Sequence, residues 1–294
     1  GHVTEVQTCA LPIYRDLAMG GLRAPLVGRQ AELATLAADL EDASAGGLTI
    51  RRLLIAPPGT GKSRLLDAVA ADAAATGRRV RTIRFRPDDP RPFGALADLA
   101  DASELDRAGP ASDERGTLAL EALRALVTDR PSPIDDRDRR AAAWTDAFAT
   151  IGAPGGEAWL VEDLHWAGPD VLRFLDAIGG APFPAGRLIV ATARPVLADR
   201  EPAWCAPGDR SRRLDLGTLA ADATVTLIDA LTGGAIPAPL AGRIARASDG
   251  NCLYVEELLR GWVSSGILVP DGGRWRLEAI ADALADRKCT RLNS

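Results

Sequence analysis

Ile50-Arg51-Arg52-Leu53-Leu54-Ile55-Ala56-Pro57-Pro58-Gly59-Thr60-Gly61-Lys62-Ser63-Arg64-Leu65-Leu66 passes from an apolar run through a Pro/Gly turn into Gly-Lys-Ser and a helical pattern. Arg52 to Ile55 supply a short strand, and Leu65, Leu66, Val69 and Ala70 repeat at helical spacing behind the turn. Such a turn, between a strand and a helix, is built to bind phosphate. Gly59 and Gly61 let the backbone direct its N–H groups inward onto phosphate oxygens, and the helix opening near Lys62 adds the positive end of its dipole. The cradle so formed runs from Pro58 through Thr60 to Arg64. Lys62 would reach the β- and γ-phosphates of a nucleotide, and the Ser63 hydroxyl would ligate Mg²⁺. Ala56 stands where the pattern usually has its first glycine, a position that tolerates a methyl group while φ stays negative.

About a hundred residues on comes Glu157-Ala158-Trp159-Leu160-Val161-Glu162-Asp163-Leu164-His165-Trp166-Ala167. Four apolar residues lead into two acids, which places the carboxylates at the C-terminal edge of a buried parallel strand. Beside a phosphate loop, one acid holds the Mg²⁺ shell and its neighbour polarises the attacking water. By itself this pattern also describes a strand meeting a loop. His165, with no second imidazole near it, is expected to be an oriented loop residue and not a ligand. Gly186 to Arg194 form a continuous buried strand ending in polar Thr192 and Arg194. In such sheets the strand between the phosphate-loop strand and the acidic strand carries a polar group that senses the γ-phosphate; a strand terminus with a surface arginine is the bland alternative.

Working outward, Leu33, Leu36 and Leu40 predict a helix up to Gly46, and Arg29 beside Gly28 at its start reads on composition as a solvated cap. Arg79 to Phe85 alternates as a half-buried strand, Phe93, Leu96 and Leu99 begin a helix, and Leu118 to Leu126 mark another. Residues 103–116 and 129–138 are polar and Pro/Gly-bearing, so loops are expected there. Trp144, Phe148 and Ile151 form a core-facing helical stripe, Pro169 suits a first helical turn, and Arg213 to Leu216 supply a fifth strand. Three helical patterns follow Leu219, the last capped by Asp249-Gly250-Asn251. Pro270-Asp271-Gly272-Gly273 then signals a hairpin.

The 294 residues are 47% hydrophobic and 26% charged, an ordinary globular balance. The net charge of -5 argues against a surface built for duplex DNA, so no direct nucleic-acid binding is expected of this stretch. No apolar run approaches the roughly 18 to 20 residues that span a bilayer, and Leu11 to Ile13 is too short for a signal core. Cysteines 9, 205, 252 and 289 lack CxxC spacing and only two histidines are present, which disfavours zinc and fits a reducing cytoplasm.

Taken together, Leu-Val-Gly-Arg at 26–29, the phosphate loop, Leu-Val-Glu-Asp-Leu-His-Trp-Ala at 160–167, Val-Ala-Thr-Ala-Arg-Pro at 190–195 and Gly-Asn-Cys-Leu-Tyr-Val-Glu-Glu-Leu-Leu at 250–259 resemble one family. It is the STAND class of AAA-like P-loop ATPases, as carried by large LuxR-type bacterial transcription regulators. The resemblance implies a three-layer α/β P-loop NTPase fold with a mainly parallel five-stranded sheet over residues 24–218. A helical lid over 219–265 and the start of a winged-helix-like segment over 266–285 would follow. It also implies ATP and Mg²⁺ as ligands, with ADP as product. Val27, Gly28 and Arg29 would face the adenine, Arg194 would sense the γ-phosphate, and Glu162 would take the Mg²⁺ side, through water, beside Ser63. Asp163 would activate water. Cys252 replaces the proline that family members set against the base. The resemblance further implies slow hydrolysis used as a switch, nucleotide-dependent self-association, and a DNA-binding helix-turn-helix in the C-terminal part of a longer parent. An oligomeric motor or loader ATPase, and a nucleotide-binding scaffold that hydrolyses nothing, are the alternatives.

The two ends carry a different signature. Residues 286–294 back-translate, with one base changed at Cys289, to a common sequencing adapter. Its reverse complement encodes Val-Gln-Thr-Cys-Ala-Leu-Pro-Ile, which is residues 6–13. Residues 1–23 are therefore expected to be a non-native or disordered leader, and 286–294 an adapter-like tail.

Overall fold

The computed structural model describes residues 26–89, 93–100, 102–108, 111, 113–271 and 274–278. The expectations for residues 1–23 and 286–294, and for the end of the 266–285 segment, lie outside these. The chain divides into two compact units.

The unit of Ala31–Pro57 and Lys62–Leu216 is an α/β sheet domain. Helix α1 (Gln30–Gly46) leads into β1 (Thr49–Ile55), α2 (Lys62–Ala75) and β2 (Arg79–Arg84). Helices α3 (Gly94–Ala97), α4 (Ala102–Arg107), α5 (Glu114–Val127) and α6 (Arg137–Thr150) come next. Then follow β3 (Glu157–Glu162), a 3₁₀ turn (Leu164–Trp166), α7 (Pro169–Gly180), β4 (Arg187–Ala193), α8 (Val196–Arg200) and β5 (Ser211–Asp215). The strands lie in the order β2-β3-β4-β1-β5, every pairing parallel, so the fold is the expected one and β4 sits between the loop strand and the acidic strand.

Strand β1 begins at Thr49, earlier than its apolar run suggests, because two buried arginines are paired. Successive strand residues face opposite sides. Arg51 bonds Asp176 on α7 at 2.5 Å, whereas Arg52 bonds Asp39 on α1 at 2.6 and 2.8 Å. Helices α1 and α7 therefore cover opposite faces, which makes three layers. On the α7 side, Leu53, Ile55, Trp159, Val161, Ile189 and Ala191 pack with Trp144, Phe148 and Phe174. The Trp144, Phe148, Ile151 stripe is buried as predicted. Residues 103–116, expected as loop, instead contain most of α4 and the start of α5; α4 is too short for periodicity to show, and it is held by buried Leu105.

The other unit comprises residues 26–30, Pro58–Gly61 and 217–278. Its described residues form α9 (Ala221–Thr232), α10 (Ala238–Ser248), α11 (Cys252–Ser264) and an antiparallel hairpin of β6 (Leu268–Asp271) and β7 (Arg274–Leu277). Ile228, Leu240, Ile244, Val255, Leu259 and Trp262 build its core. Asn251 caps α11, its Oδ1 accepting the Tyr254 N–H at 3.2 Å.

Candidate functional site

Parallel strands bring their C-terminal ends to one edge, and in the sheet unit that edge collects the polar residues singled out by sequence. Lys62 opens α2, and its ammonium donates to the carbonyls of Ala56 at 2.9 Å and Pro57 at 2.7 Å. Burial holds the Lys62 ammonium below its usual pKa range; Asp163 opposes that shift and Arg194 adds to it. At the next residue, the Ser63 hydroxyl donates to Glu162 Oε2 at 3.1 Å across 99 residues of sequence. The same oxygen accepts from Arg84 Nη2 at 2.5 Å, at the end of β2. Among the described residues no three His, Cys, Asp or Glu side chains form a metal-holding group. A hydroxyl and a carboxylate side by side nevertheless fit Mg²⁺, which binds through one or two protein oxygens and completes its shell with water and phosphate.

Immediately after Glu162 the chain turns. Asp163 adopts a left-handed conformation, φ 57° and ψ 38°. For a non-glycine residue this costs about 1–2 kcal/mol, and aspartate is among the side chains that tolerate it. Its N–H donates to Thr192 Oγ1 on β4 at 3.2 Å, and that hydroxyl is in turn directed at the Val161 carbonyl, 3.4 Å away. The 3₁₀ turn follows. Its backbone is stapled by Arg200 of α8, whose guanidinium donates to the carbonyls of His165 at 3.1 Å and Ala167 at 3.0 Å. His165 lies in this turn and is buried, 3% exposed, and among the described residues neither ring nitrogen has a hydrogen-bond partner. Burial lowers its pKa, with Asp163 opposing and Arg194, Lys62 and Arg200 reinforcing the shift. Arg194 itself is exposed just beyond the end of β4.

The second unit holds the remaining residues. Arg29, expected as a solvated cap, is buried, and its guanidinium donates to the Thr60 carbonyl at 3.1 Å and the Gly217 carbonyl at 2.5 Å. A guanidinium with its N–H groups aimed at two carbonyls anchors backbone, which composition alone could not reveal. Gly28 has φ +65°, and a Cβ there would lie 2.7 Å from that of Ala223. Val27 beside it is half-buried and Pro58 is exposed. The Cys252 N–H donates to the Gly59 carbonyl at 2.7 Å, and a Cβ on Gly59, at φ +81°, would strike Asn251 Oδ1 at 2.0 Å. Gly61, at φ +87°, lies 3.9 Å by the same measure from the Cys252 sulfur. Arg64 lies half-buried in the first turn of α2 in the sheet unit.

Sequence reasoning left Arg84, Arg200 and Asn251 without a part at these edges, and noted Thr192 only as polar. Arg84 and Thr192 each end an apolar or alternating strand on a polar side chain, a signal that was present. Arg200 acts through backbone carbonyls, which leave no such mark, and the cap formed by Asn251 was legible whereas its approach to Gly59 was not.

A family model of the AAA ATPase domain matches residues 25–190, over half of the chain. No curated protein matches. Among solved structures, the Aeropyrum pernix Orc1 protein in complex with DNA is similar with a TM-score of 0.56 at 15% identity, over 93% of this chain and 69% of that one. Drosophila ORC bound to DNA gives 0.55 at 14%, over 91% and 67%. Cdc6p from Pyrobaculum aerophilum gives 0.53 at 17%, over 85% and 66%. At these identities the likeness is one of fold. By the match over residues 25–190, the chain belongs to the AAA ATPase domain family.

Proposed function

We propose that this chain binds Mg-ATP and hydrolyses it slowly, as a conformational switch in a signal-responsive bacterial transcription regulator. The observation that carries the nucleotide reading is the 3.1 Å contact between Ser63 and Glu162, which sets a hydroxyl and a carboxylate side by side next to Lys62. Lys62 would exchange its two loop carbonyls for β- and γ-phosphate oxygens, a stronger charge-assisted pairing. Ser63 and, through water, Glu162 would hold Mg²⁺, which neutralises charge on the phosphates when bound. Asp163 would take the proton of the attacking water. Arg194 would pair with the γ-phosphate, so that hydrolysis removes the charge it responds to. Val27, Gly28, Arg29 and Cys252 are assigned to the nucleotide by family resemblance, as are Pro58, Thr60 and Arg64. The regulator role rests on that same combination of motifs, and it assigns DNA contact to a helix-turn-helix of a longer parent. A cytoplasmic location goes with this reading.

The test is nucleotide binding by Lys62→Ala, followed by turnover of Asp163→Asn. Lys62→Ala is expected to lose ATP binding, and Asp163→Asn to bind ATP without hydrolysing it. Unchanged affinity in the lysine variant would remove the assignment. Equal turnover in wild type and the asparagine variant would remove Asp163 from the water-activating role, and no turnover in the wild type would leave only a binding scaffold. A second reading, an oligomeric motor or loader ATPase, is favoured by the fold shared with Orc1 and Cdc6p. ATP-dependent assembly whose hydrolysis requires an arginine supplied by a neighbouring copy, measured by light scattering and mixed-variant turnover, would select it.

A further inference from the structure

The β3–β4 ladder pairs Glu157 with Arg187 through Val161 with Ala191, and there it stops. On the opposite side Thr192 remains paired to Leu54 of β1, so its backbone is fixed while β3 peels away from it. In the gap the Thr192 hydroxyl substitutes for the missing rungs, facing the Val161 carbonyl at 3.4 Å and accepting the Asp163 N–H at 3.2 Å. The side chain is 2% exposed, so no water competes for these bonds. Asp163 takes its left-handed conformation at this point.

We propose that Thr192 is a positioning residue for Asp163: its buried hydroxyl is a side-chain rung that holds Asp163 in the left-handed turn and so sets the carboxylate on the side of Lys62. The turn breaks the alternation of β3, which would otherwise send residue 163 to the face opposite Glu162. It also lets the Asp163 carboxylate act electrostatically on Lys62. Thr192 touches no nucleotide in this account. Its effect is on where the neighbouring acid stands, and the catalytic half of the claim rests on the hydrolysis reading above.

Thr192→Val keeps the shape of the side chain and removes the hydroxyl, whereas Thr192→Ser keeps the hydroxyl. Two readouts are taken on the whole chain: hydrogen exchange of the 163–167 amides without nucleotide, and ATP affinity with single-turnover hydrolysis. Thr192→Val is expected to lose exchange protection across 163–167 while β1 and β4 stay protected. ATP affinity should stay within about threefold while hydrolysis falls roughly 10- to 100-fold, the scale set by a small misplacement of a reacting group. Thr192→Ser should restore both. Unchanged exchange in Thr192→Val overturns the proposal whether or not the wild type hydrolyses ATP. Loss of protection throughout the sheet also overturns it, because Thr192 would then be a packing residue. A wild type without turnover, but with local deprotection in Thr192→Val, would sink the hydrolysis reading and leave the rung standing.

Discussion

A buried imidazole with two unpartnered nitrogens can be protonated only at a cost, and His165 has cationic neighbours in Lys62, Arg194 and Arg200 that raise it further. Its folded pKa lies below the ordinary value of 6.5. Between those two values the unfolded chain binds more protons than the folded one, so stability falls as the pH drops. The loss begins as the pH passes below about 6.5 and is complete once it passes the folded value. Urea midpoints of wild type and His165→Phe, compared from pH 7.5 down to 5, isolate this group from the carboxylates common to both. The wild type is expected to lose more stability than the variant across that window. Parallel curves would mean that the ring is protonated as easily inside the fold as outside.

Strand β3 shows at the scale of an element why some of this was legible in sequence and some was not. Its apolar run and terminal acids announced both the strand and the edge. Its first residue, Glu157, is fully buried, accepting from Arg81 Nε and Nη2 at 3.2 Å, from Trp159 Nε1 at 2.9 Å and from Arg187 Nε at 3.0 Å. Arg81 continues to Glu104 on α4 at 2.7 Å. Glu157→Gln would leave the Arg187 guanidinium, whose pKa burial already lowers, without the charge that offsets it. Removing one partner of a buried pair costs about 3–5 kcal/mol, whereas replacing both by apolar residues is often near neutral. Urea unfolding should therefore show Glu157→Gln strongly destabilised, and Glu157→Leu with Arg187→Met much less so than the sum of its single variants. Additive losses would show that the charges do not interact. Periodicity found β2 but could not foresee that Arg81 shares its buried face with Ile83, because the partner lies 76 residues away. The same limit hid α4, a six-residue helix whose Glu104 completes this cluster, and the Thr192 rung, in which one strand's hydroxyl serves its neighbour's backbone. What sequence carries well is local period and turn chemistry; polar groups satisfied by distant partners fall outside it.

The whole molecule raises one question that the fold does not answer, because the similar Orc1 and ORC structures are bound to DNA. A shared fold at 15% identity does not transfer a binding surface. The charge of the chain is the more direct physical guide. Its 35 Lys and Arg are outnumbered by 40 Asp and Glu, and some of the arginines, Arg51, Arg52, Arg81 and Arg187 among them, are buried in ion pairs and present little surface to solvent. Duplex DNA gains affinity chiefly by exchanging condensed counterions for exposed Lys and Arg, a term a net-negative surface supplies weakly. Non-specific binders reach dissociation constants of about 10⁻⁴–10⁻⁶ M at physiological salt. This chain is expected at or beyond the weak end of that range, with a shallow salt slope, when a labelled 30-base-pair duplex is titrated by fluorescence anisotropy, with and without Mg-ATP. Saturable binding below about 1 µM at physiological salt, falling steeply as salt rises, would reveal a basic surface that the overall charge conceals. It would also move the reading from a regulator whose DNA contact lies in another domain toward a loader that grips DNA with its ATPase unit.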